Sequence, residues 1–335
     1  MVSQSTAAVS FFDAASDQYL GAVETLAEPH ELCFDPVHRL LWCTQTYRSG
    51  FYHAHSGRRT ELTVIDPDLR RVVEVVDLAP EQAPHGIALD AVRNRLYVSV
   101  EGSADRPGGV VVIDTGTRRP VGRIDSGAPG SHWVALDAAG RTACVANKEA
   151  PFVSLLDLER GTLTAKAGVP GSEGVAVSAD GTRAFVAAPY NGSFAAPGDR
   201  PAPGIQVVDI ESATVVDTLP AQDPVMPLHL TGAGLLLAGE VAVEPERRPG
   251  GVRMAPGRLT VFSAATGERL GGLEVGRCPL TITSSPDGRI AYVASYASGV
   301  VDVVDLRASE RLARIKHAGF GETGTHGLAY IPRAA

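Results

Sequence analysis

Short apolar segments alternate with turn residues along this chain. The clearest stretch is "CPLTITSSPDGRIAYVASYASGVVDVVDLRASERLARIKH", which begins at Cys278. It contains four apolar or alternating segments, separated by turn residues such as Ser-Pro-Asp-Gly. Alternation with a period of two is typical of β-strands, because successive side chains point to opposite faces. The pattern therefore predicts a unit of four short strands, which we name a, b, c and d in chain order.

The same unit recurs along the chain. Its first strands begin at matched positions, which follow one another at intervals of 55, 47, 41, 55, 52 and 46 residues. The residues at these positions are His30, His85, His132, Glu173, Leu228, Leu280 and His326. Repeats of about 40–50 residues with four strands each are typical of a β-propeller, in which each repeat forms one blade.

The last repeat ends after its first strand, "HGLAYIPRAA". Residues 1–27 align with the end of strand b and with strands c and d, so we expect them to share a blade with about 322–333. The sequence therefore predicts a single all-β domain over 1–335, a seven-bladed propeller with four-stranded blades. Its ring closes where the N-terminal strands pair with the C-terminal strand, which removes exposed sheet edges.

Two of the repeats resemble a known family. The segments "SPDGRIAYVASYASGVVDVVDL" and "SADGTRAFVAAPYNG" are similar to the YVTN-repeat seven-bladed propellers, and the resemblance covers nearly the whole chain. It implies the same fold that the repeat predicts. For function it implies only that a protein or peptide ligand is one possibility, because one fold hosts many activities.

Propeller topology places four histidines at one point. Strand a lies next to the central channel, and the d-to-a and b-to-c connections emerge on one face. All the long loops of this sequence belong to that face, where function usually sits on a rigid scaffold. His30, His85, His132 and His326 lie at the channel mouth on that face, with Glu173 on the next blade. The chain has only 9 histidines, so four at seven matched positions is an enrichment.

Converging imidazoles indicate a metal site. Imidazole is the commonest transition-metal ligand, so we predict that His30, His85, His132 and His326 bind Fe, Cu, Zn or Mn. Glu173 is then a further ligand, a hydrogen-bond acceptor that fixes one ring, or a general base. In the other interpretation, duplication copied one ancestral histidine, and the rings hydrogen-bond backbone carbonyls.

Further polar residues follow the second strands. Five of them lie near the same mouth: Glu101, Lys148, Tyr190, Glu240 and Tyr296. We predict Tyr190 and Glu240, together with Glu173, as catalytic groups that transfer protons or line the pocket. His53 and His55 form an H-x-H pair in the first long loop. We interpret them as part of a solvated loop, although such a pair is also able to complete a metal site.

Composition and missing motifs exclude several classes. A net charge of −8 and a pI near 5.6 argue against a nucleic-acid partner. The chain has no apolar run of about 18 residues, so no membrane span is predicted. Without a signal peptide or a C-x-x-C pair, a cytoplasmic protein with reduced thiols is expected. The chain also lacks G-x-S-x-G, a P-loop and a convincing G-x-G-x-x-G after a strand, which disfavours serine hydrolases, nucleotide hydrolases and nicotinamide enzymes.

Two hypotheses for function follow. The first is a metal-dependent enzyme acting on a small organic substrate under the long loops. Carotenoid-cleaving oxygenases hold iron with four histidines from different blades, and this sequence resembles them in that set of histidines alone. The similarity suggests oxygenase or other redox chemistry. A lyase, isomerase or cyclase that uses the metal as a Lewis acid fits nearly as well. The second is a non-catalytic propeller that binds a protein or peptide, with structural or pH-responsive histidines.

Overall fold

The repeat unit folds as the sequence predicts. The computed structural model describes residues 1–52, 54–190, 201–245, 252–316 and 324–333. Six four-stranded antiparallel sheets and one three-stranded sheet form the blades of a ring. The C-terminal segment lies beside the three-stranded sheet and supplies the first strand of that blade. The predicted all-β, seven-bladed β-propeller is therefore confirmed.

We number the blades from the one that contains His30, and each blade runs from strand a to strand d in chain order. Blade 1 contains Pro29–Asp35, Leu40–Gln45, Glu61–Asp66 and Arg71–Asp77. Blade 2 contains Gln82–Asp90, Arg95–Glu101, Gly109–Asp114 and Arg119–Asp125. Blade 3 contains Ser131–Leu136, Thr142–Asn147, Phe152–Asp157 and Thr162–Gly168.

The next three blades have the same four-stranded order. Blade 4 contains Val175–Val177, Arg183–Ala188, Gly204–Asp209 and Thr214–Pro220. Blade 5 contains Val225–Leu230, Leu235–Glu240, Pro256–Ser263 and Arg269–Arg277. Blade 6 contains Pro279–Ser284, Ile290–Ser295, Val300–Asp305 and Glu310–Lys316.

Blade 7 joins the two ends of the chain. Its strands b, c and d are Val2–Ser3, Ala8–Phe12 and Tyr19–Glu24. Strand a lies within 324–333, where Thr325 bridges Ser3, and the backbone N–H of Val2 donates to the Gly327 carbonyl at 2.9 Å. The predicted closure is confirmed, and it fixes His326 next to blade 1.

Burial decreases from the channel outwards. In blade 2, Arg95–Glu101 is buried along almost its whole length, whereas Arg119–Asp125 is largely exposed. The apolar residues of strands a to c pack between neighbouring blades, where they form separate clusters around the ring. This packing leaves the polar ends of the inner strands to line the channel mouth.

Two b-to-c loops form small hairpins on the same face. The loop of blade 1, residues 46–60, pairs Gly50–Phe51 with Ala54–His55, and we call it the blade 1 hairpin. The loop of blade 5 pairs Val243–Pro245 with Val252–Met254. His53 lies outside the described residues.

The described part of the chain contains little helix. A single 3-10 turn, Tyr296–Ser298, is the helical element found there, and it is far too short to cross a membrane. All four cysteines are free thiols. The cytoplasmic location stays a prediction.

Candidate metal centre

The four predicted histidines lie together at the channel. The ring centroids of His326 and His30 are 4.3 Å apart, and those of His85 and His132 are also 4.3 Å apart. His30 and His85, which link the two pairs, are 4.8 Å apart. The four side chains are buried, with 1–6% of each residue exposed. Residues far apart in the sequence therefore form one buried cluster of imidazoles, which we call the histidine cluster.

Glycine after the histidine controls the spacing of the rings. A Cβ on Gly327 would lie 2.4 Å from the His30 carbonyl oxygen, and a Cβ on Gly86 would lie 2.6 Å from that of His132. Neighbouring first strands approach closely at these two positions because no side chain separates them. These are the two pairs with the shorter ring separation. Glu31 follows His30, where the separation is larger.

Hydroxyl groups of the second strands hold the backbone of the histidines. Thr44 accepts a hydrogen bond from the Glu31 N–H at 3.0 Å and donates to the His85 carbonyl at 2.9 Å. Ser99 does the same one blade further on, because it accepts from the Gly86 N–H and donates to the His132 carbonyl. Each hydroxyl therefore ties one blade to the next histidine along the ring.

The nitrogen atoms of the histidine cluster are suited to a metal ion. One ring nitrogen from each of His30, His85 and His132 lies within 4.8 Å of the other two. The Nδ1 atoms of these three rings are buried and have no hydrogen-bond partner among the described residues. Buried polar atoms are normally satisfied, and one ion bound among the rings would satisfy all three. Neutral imidazole nitrogens are preferred ligands of Fe, Cu, Zn and Mn, so the donor set fits the predicted ion.

Electrostatics keep these rings neutral. Burial, followed by the charges of His326, His85 and Lys148, lowers the pKa of His30 well below its ordinary value. Burial and then Lys148 do the same to the pKa of His132. Burial also lowers the pKa of His85, although hydrogen bonding to Glu101 opposes it. A neutral ring is the form that binds a metal.

Glu31 belongs to the site, and the sequence reasoning missed it. Its Oε1 lies 2.9 Å from Nδ1 of His326 and 3.7 Å from Nδ1 of His30. Ligand atoms of His30, Glu31 and His326 lie within 4.8 Å of one another, so they form a second candidate group for an ion. Burial raises the pKa of Glu31, and the charge of His326 opposes that rise. A signal existed, since glycine follows the matched residue in three of the other blades.

Glu173 and Tyr190 meet around Lys148. Oε1 of Glu173 lies 3.6 Å from Nδ1 of His132, and Oε2 lies 3.2 Å from Nζ of Lys148. Burial raises the pKa of Glu173, with the nearby lysine opposing the rise. The same ammonium group lies 5.0 Å from the ring centre of Tyr190 and 4.7 Å from that of Tyr52. Of the three predicted catalytic residues, Glu173 therefore lies next to the histidine cluster, and Tyr190 lies beside Lys148.

Glu101 forms the most extensive polar network of the site. Its carboxylate accepts hydrogen bonds from His85, from the Tyr47 hydroxyl and from the Arg58 guanidinium. Burial alone would raise the pKa of Glu101, but these hydrogen bonds outweigh it and lower the pKa to about 2. The carboxylate is therefore charged at neutral pH. Tyr47 and Arg58 come from the blade 1 hairpin and were not predicted as site residues.

Glu240 has a different set of contacts. Its Oε2 accepts from the backbone N–H groups of Gln222 and Asp223 at 2.8 and 3.0 Å, and its Oε1 accepts from the Thr260 hydroxyl. These bonds hold the turn before blade 5. A catalytic role for Glu240 stays a prediction, and its contacts are those of a structural carboxylate.

His55 is linked to the histidine cluster through Tyr47. It stacks on Tyr47, with ring centroids 4.5 Å apart and planes 6° apart. Tyr47 in turn lies 3.2 Å from Nε2 of His85. His55 therefore supports the hairpin over the site.

The opposite side of the mouth is apolar. Leu228 is buried and Leu280 half-buried at the matched positions of blades 5 and 6. Beyond them a small apolar cluster contains Met226, Val241 and Cys278, against which Tyr190, Met254, Leu280 and Tyr296 pack. Of the predicted second-strand residues, Tyr296 therefore belongs to the apolar side, and Tyr190, which also lies beside Lys148, contacts both sides.

Comparisons with known proteins identify the fold and do not assign a family. No protein-family model matches the chain, and no curated protein matches its sequence. More than a thousand solved chains match its structure, so the fold is too common to indicate one activity. One of them is hydrazine synthase from Kuenenia stuttgartiensis, with a TM-score of 0.66, 16% identity and 86% of each chain covered. The resemblance to the YVTN-repeat propellers stays a prediction.

Proposed function

We propose that this chain is a metal-dependent enzyme that acts on a small organic substrate at the loop-rich mouth of the propeller channel. One observation carries the proposal. Three buried Nδ1 atoms, from His30, His85 and His132, have no hydrogen-bond partner among the described residues, although burial of an unsatisfied polar atom costs about 1–3 kcal/mol. A single ion bound by the cluster would remove these costs together.

The proposed ligands are the four histidines of the cluster, with Glu31 as a further donor beside His326. The donor set suits Fe, Cu, Zn or Mn. A redox-active ion would supply oxygenase or other redox chemistry, whereas Zn would act as a Lewis acid for a lyase or cyclase. Bound Zn would therefore exclude redox chemistry at the ion, whereas Fe or Mn is able to support either class.

The surrounding residues have distinct roles in this proposal. Glu173 has a raised pKa and lies between His132 and Lys148, so it is suited to take or give a proton at its Oε atoms. Lys148 supplies the positive charge that holds this carboxyl group in place. Tyr190 covers Lys148 and borders the apolar cluster, which would orient the apolar part of the substrate.

The alternative function, binding of a protein or peptide across the loop face, has less support from the site. A contact surface formed by histidines needs rings that a partner is able to reach. The four histidines of the cluster are at most 6% exposed, and three of them have a pKa that burial lowers. They are therefore not available to a macromolecular partner on the surface.

Metal analysis of the purified protein tests the proposal. We expect about one equivalent of a transition metal per chain after purification, or after reconstitution with Fe, Cu, Zn or Mn in turn. His85→Ala should lose the metal while circular dichroism shows an intact β-propeller. His229→Ala is the matched control, because His229 lies outside the cluster and bonds Ser284 at 2.9 Å. Less than about a tenth of an equivalent in the wild type, with no uptake on reconstitution, would contradict the proposal.

A further inference from the structure

Glu101 connects a histidine of the cluster to the blade 1 hairpin. Its Oε1 lies 2.9 Å from Nε2 of His85 and accepts the Tyr47 hydroxyl at 2.5 Å. Its Oε2 accepts from Nε of Arg58 at 2.6 Å. The side chain of Glu101 is 4% exposed, so the carboxylate is shielded from solvent, although the Arg58 side chain that reaches it is 38% exposed.

This arrangement determines which nitrogen of His85 carries the proton. A carboxylate offers only acceptors, so the short contact requires a hydrogen on Nε2 of His85. A neutral imidazole has one N–H, which leaves a lone pair on Nδ1. Nδ1 is buried and has no hydrogen-bond partner among the described residues, whereas Nε2 has two. The two ring nitrogens therefore have opposite surroundings.

We infer that Glu101 is a positioning residue that fixes His85 as the Nε2–H tautomer and thereby directs the Nδ1 lone pair to the ion. The part that concerns the ion rests on the proposed function. The part that concerns the tautomer rests on the geometry alone. A carboxylate behind a ligating histidine fixes the ring and increases its basicity. Glu173 was expected in such a role, but its nearest contact to a ring nitrogen is 3.6 Å, which is too long for a hydrogen bond.

The carboxylate of Glu101 also holds the blade 1 hairpin in place. Tyr47 and Arg58 form an isolated β-bridge at the base of the blade 1 hairpin, and both donate to Glu101. From there the hairpin reaches blade 3, where the Tyr52 ring lies 4.7 Å from Nζ of Lys148. Loss of Glu101 should therefore loosen His85 and the hairpin together.

Nitrogen-15 NMR of the metal-free protein tests the tautomer without any ion. We expect the wild type to show His85 with a protonated Nε2 and an unprotonated Nδ1. Glu101→Ala should give a mixture of tautomers, and Glu101→Gln should restore the Nε2–H form because its amide oxygen still accepts. Glu149→Gln is the matched control, since Glu149 lines the neighbouring cavity of about 290 Å3 with Glu101. A wild-type His85 that carries its proton on Nδ1 would overturn the inference, whatever happens to the variants.

Cobalt binding provides the second readout. With Co2+ alone as the probe, visible absorption should show Glu101→Ala binding about 10–100-fold more weakly than the wild type. Glu101→Gln should recover part of that loss, and Glu149→Gln should bind as the wild type does. Equal affinity of the wild type and Glu101→Ala would contradict the positioning role. A wild type that binds no cobalt or other transition metal would instead contradict the proposed function, while the NMR result for the tautomer would stand.

Discussion

Two groups of blades place different residues at the same structural position. One group is blades 7, 1, 2 and 3, and the other is blades 5 and 6. The first group has histidine there, at most 6% exposed, and the second has Leu228 and Leu280. The backbone is of the same kind on both sides, since each side presents the start of strand a to the channel. The comparison shows that the scaffold sets where a side chain points, while the residue at that position determines whether the site is polar or apolar.

Two of the four histidine blades have glycine after the matched position, whereas blades 5 and 6 have none there. Gly86 and Gly327 let neighbouring first strands touch in the histidine blades. Blades 5 and 6 have His229 and Thr281 instead. Thr281 lies 3.3 Å from Oε1 of Glu31, so the last apolar blade still contributes one polar contact to the histidine side. Substitutions at these positions therefore test the difference between the two groups of blades.

Replacing His30 should have the largest effect. His30 belongs to both candidate groups of ligands, so His30→Ala leaves neither intact. If four ligands share a binding free energy of about 10–16 kcal/mol equally, one ligand contributes about 2.5–4 kcal/mol, or roughly 70- to 900-fold in affinity. Titration with Co2+ measures this loss. The apolar counterpart Leu280→Ala should keep wild-type affinity, and an equal loss in both variants would contradict the division between the two sides.

Leu228→Ala should instead reduce stability. Leu228 is buried in a cluster with Phe185, Leu236 and Phe262, so its truncation leaves a cavity. We expect the free energy of unfolding to fall by roughly 3 kcal/mol while the affinity for cobalt stays the same. Urea denaturation with and without the ion gives both quantities. A large drop in affinity at constant stability would show that blade 5 belongs to the metal site.

Gly327→Ala tests the close approach of the histidine blades. The new Cβ would meet the His30 carbonyl at 2.4 Å, so the two first strands must separate. We expect a loss of about 1–3 kcal/mol in unfolding free energy, and weaker cobalt binding because His326 and His30 move apart. Gly168→Ala is the matched control, since nothing lies within 4 Å of its Cβ. Unchanged stability and affinity in Gly327→Ala would show that the spacing does not matter.

The smallest effect at neutral pH concerns His229, the one histidine of blade 5. Burial lowers its pKa to about 4, below the ordinary value of 6.5. Between these values the unfolded chain binds more protons than the folded one, so stability is retained above pH 6.5 and falls as the pH drops towards 4. We expect this residue to account for about 2 kcal/mol of that fall, less than the full shift implies because the side chain is partly exposed. Denaturation curves of His229→Gln at pH 6.5 and pH 4 should lack this loss of stability. The same pH dependence in the variant and the wild type would contradict the prediction.

The fold and the histidine cluster were predictable because both follow from the repeat. Matched positions in equivalent blades must occupy equivalent places, so His30, His85, His132 and His326 converge whatever the loops do. Lys148 and Glu101 were among the residues noted near the mouth for the same reason. Their partners depend on side-chain direction and burial, which the repeat does not determine.

The residues that sequence reasoning missed come from departures from the repeat. Glu31 replaces the glycine that follows the matched residue in three other blades, and its carboxylate lies 2.9 Å from Nδ1 of His326. Tyr47 and Arg58 belong to the blade 1 hairpin, whose path has no counterpart of the same length in blade 2 or blade 3. Glu240 has the same place in the repeat as Glu101 but bonds Thr260 and the turn before its own blade. In each case the role of the residue depends on local contacts that the repeat does not specify.

Anomalous X-ray scattering from crystals of the wild-type protein soaked with Co2+ tests the central claim most directly. Data collected at the cobalt absorption edge should show one strong peak within bonding distance of ring nitrogens from at least three of His30, His85, His132 and His326. It should lie on the histidine side of the channel, away from Leu228 and Leu280. No peak within the cluster in crystals that bind cobalt elsewhere would contradict the claim that the propeller brings these imidazoles together to hold an ion.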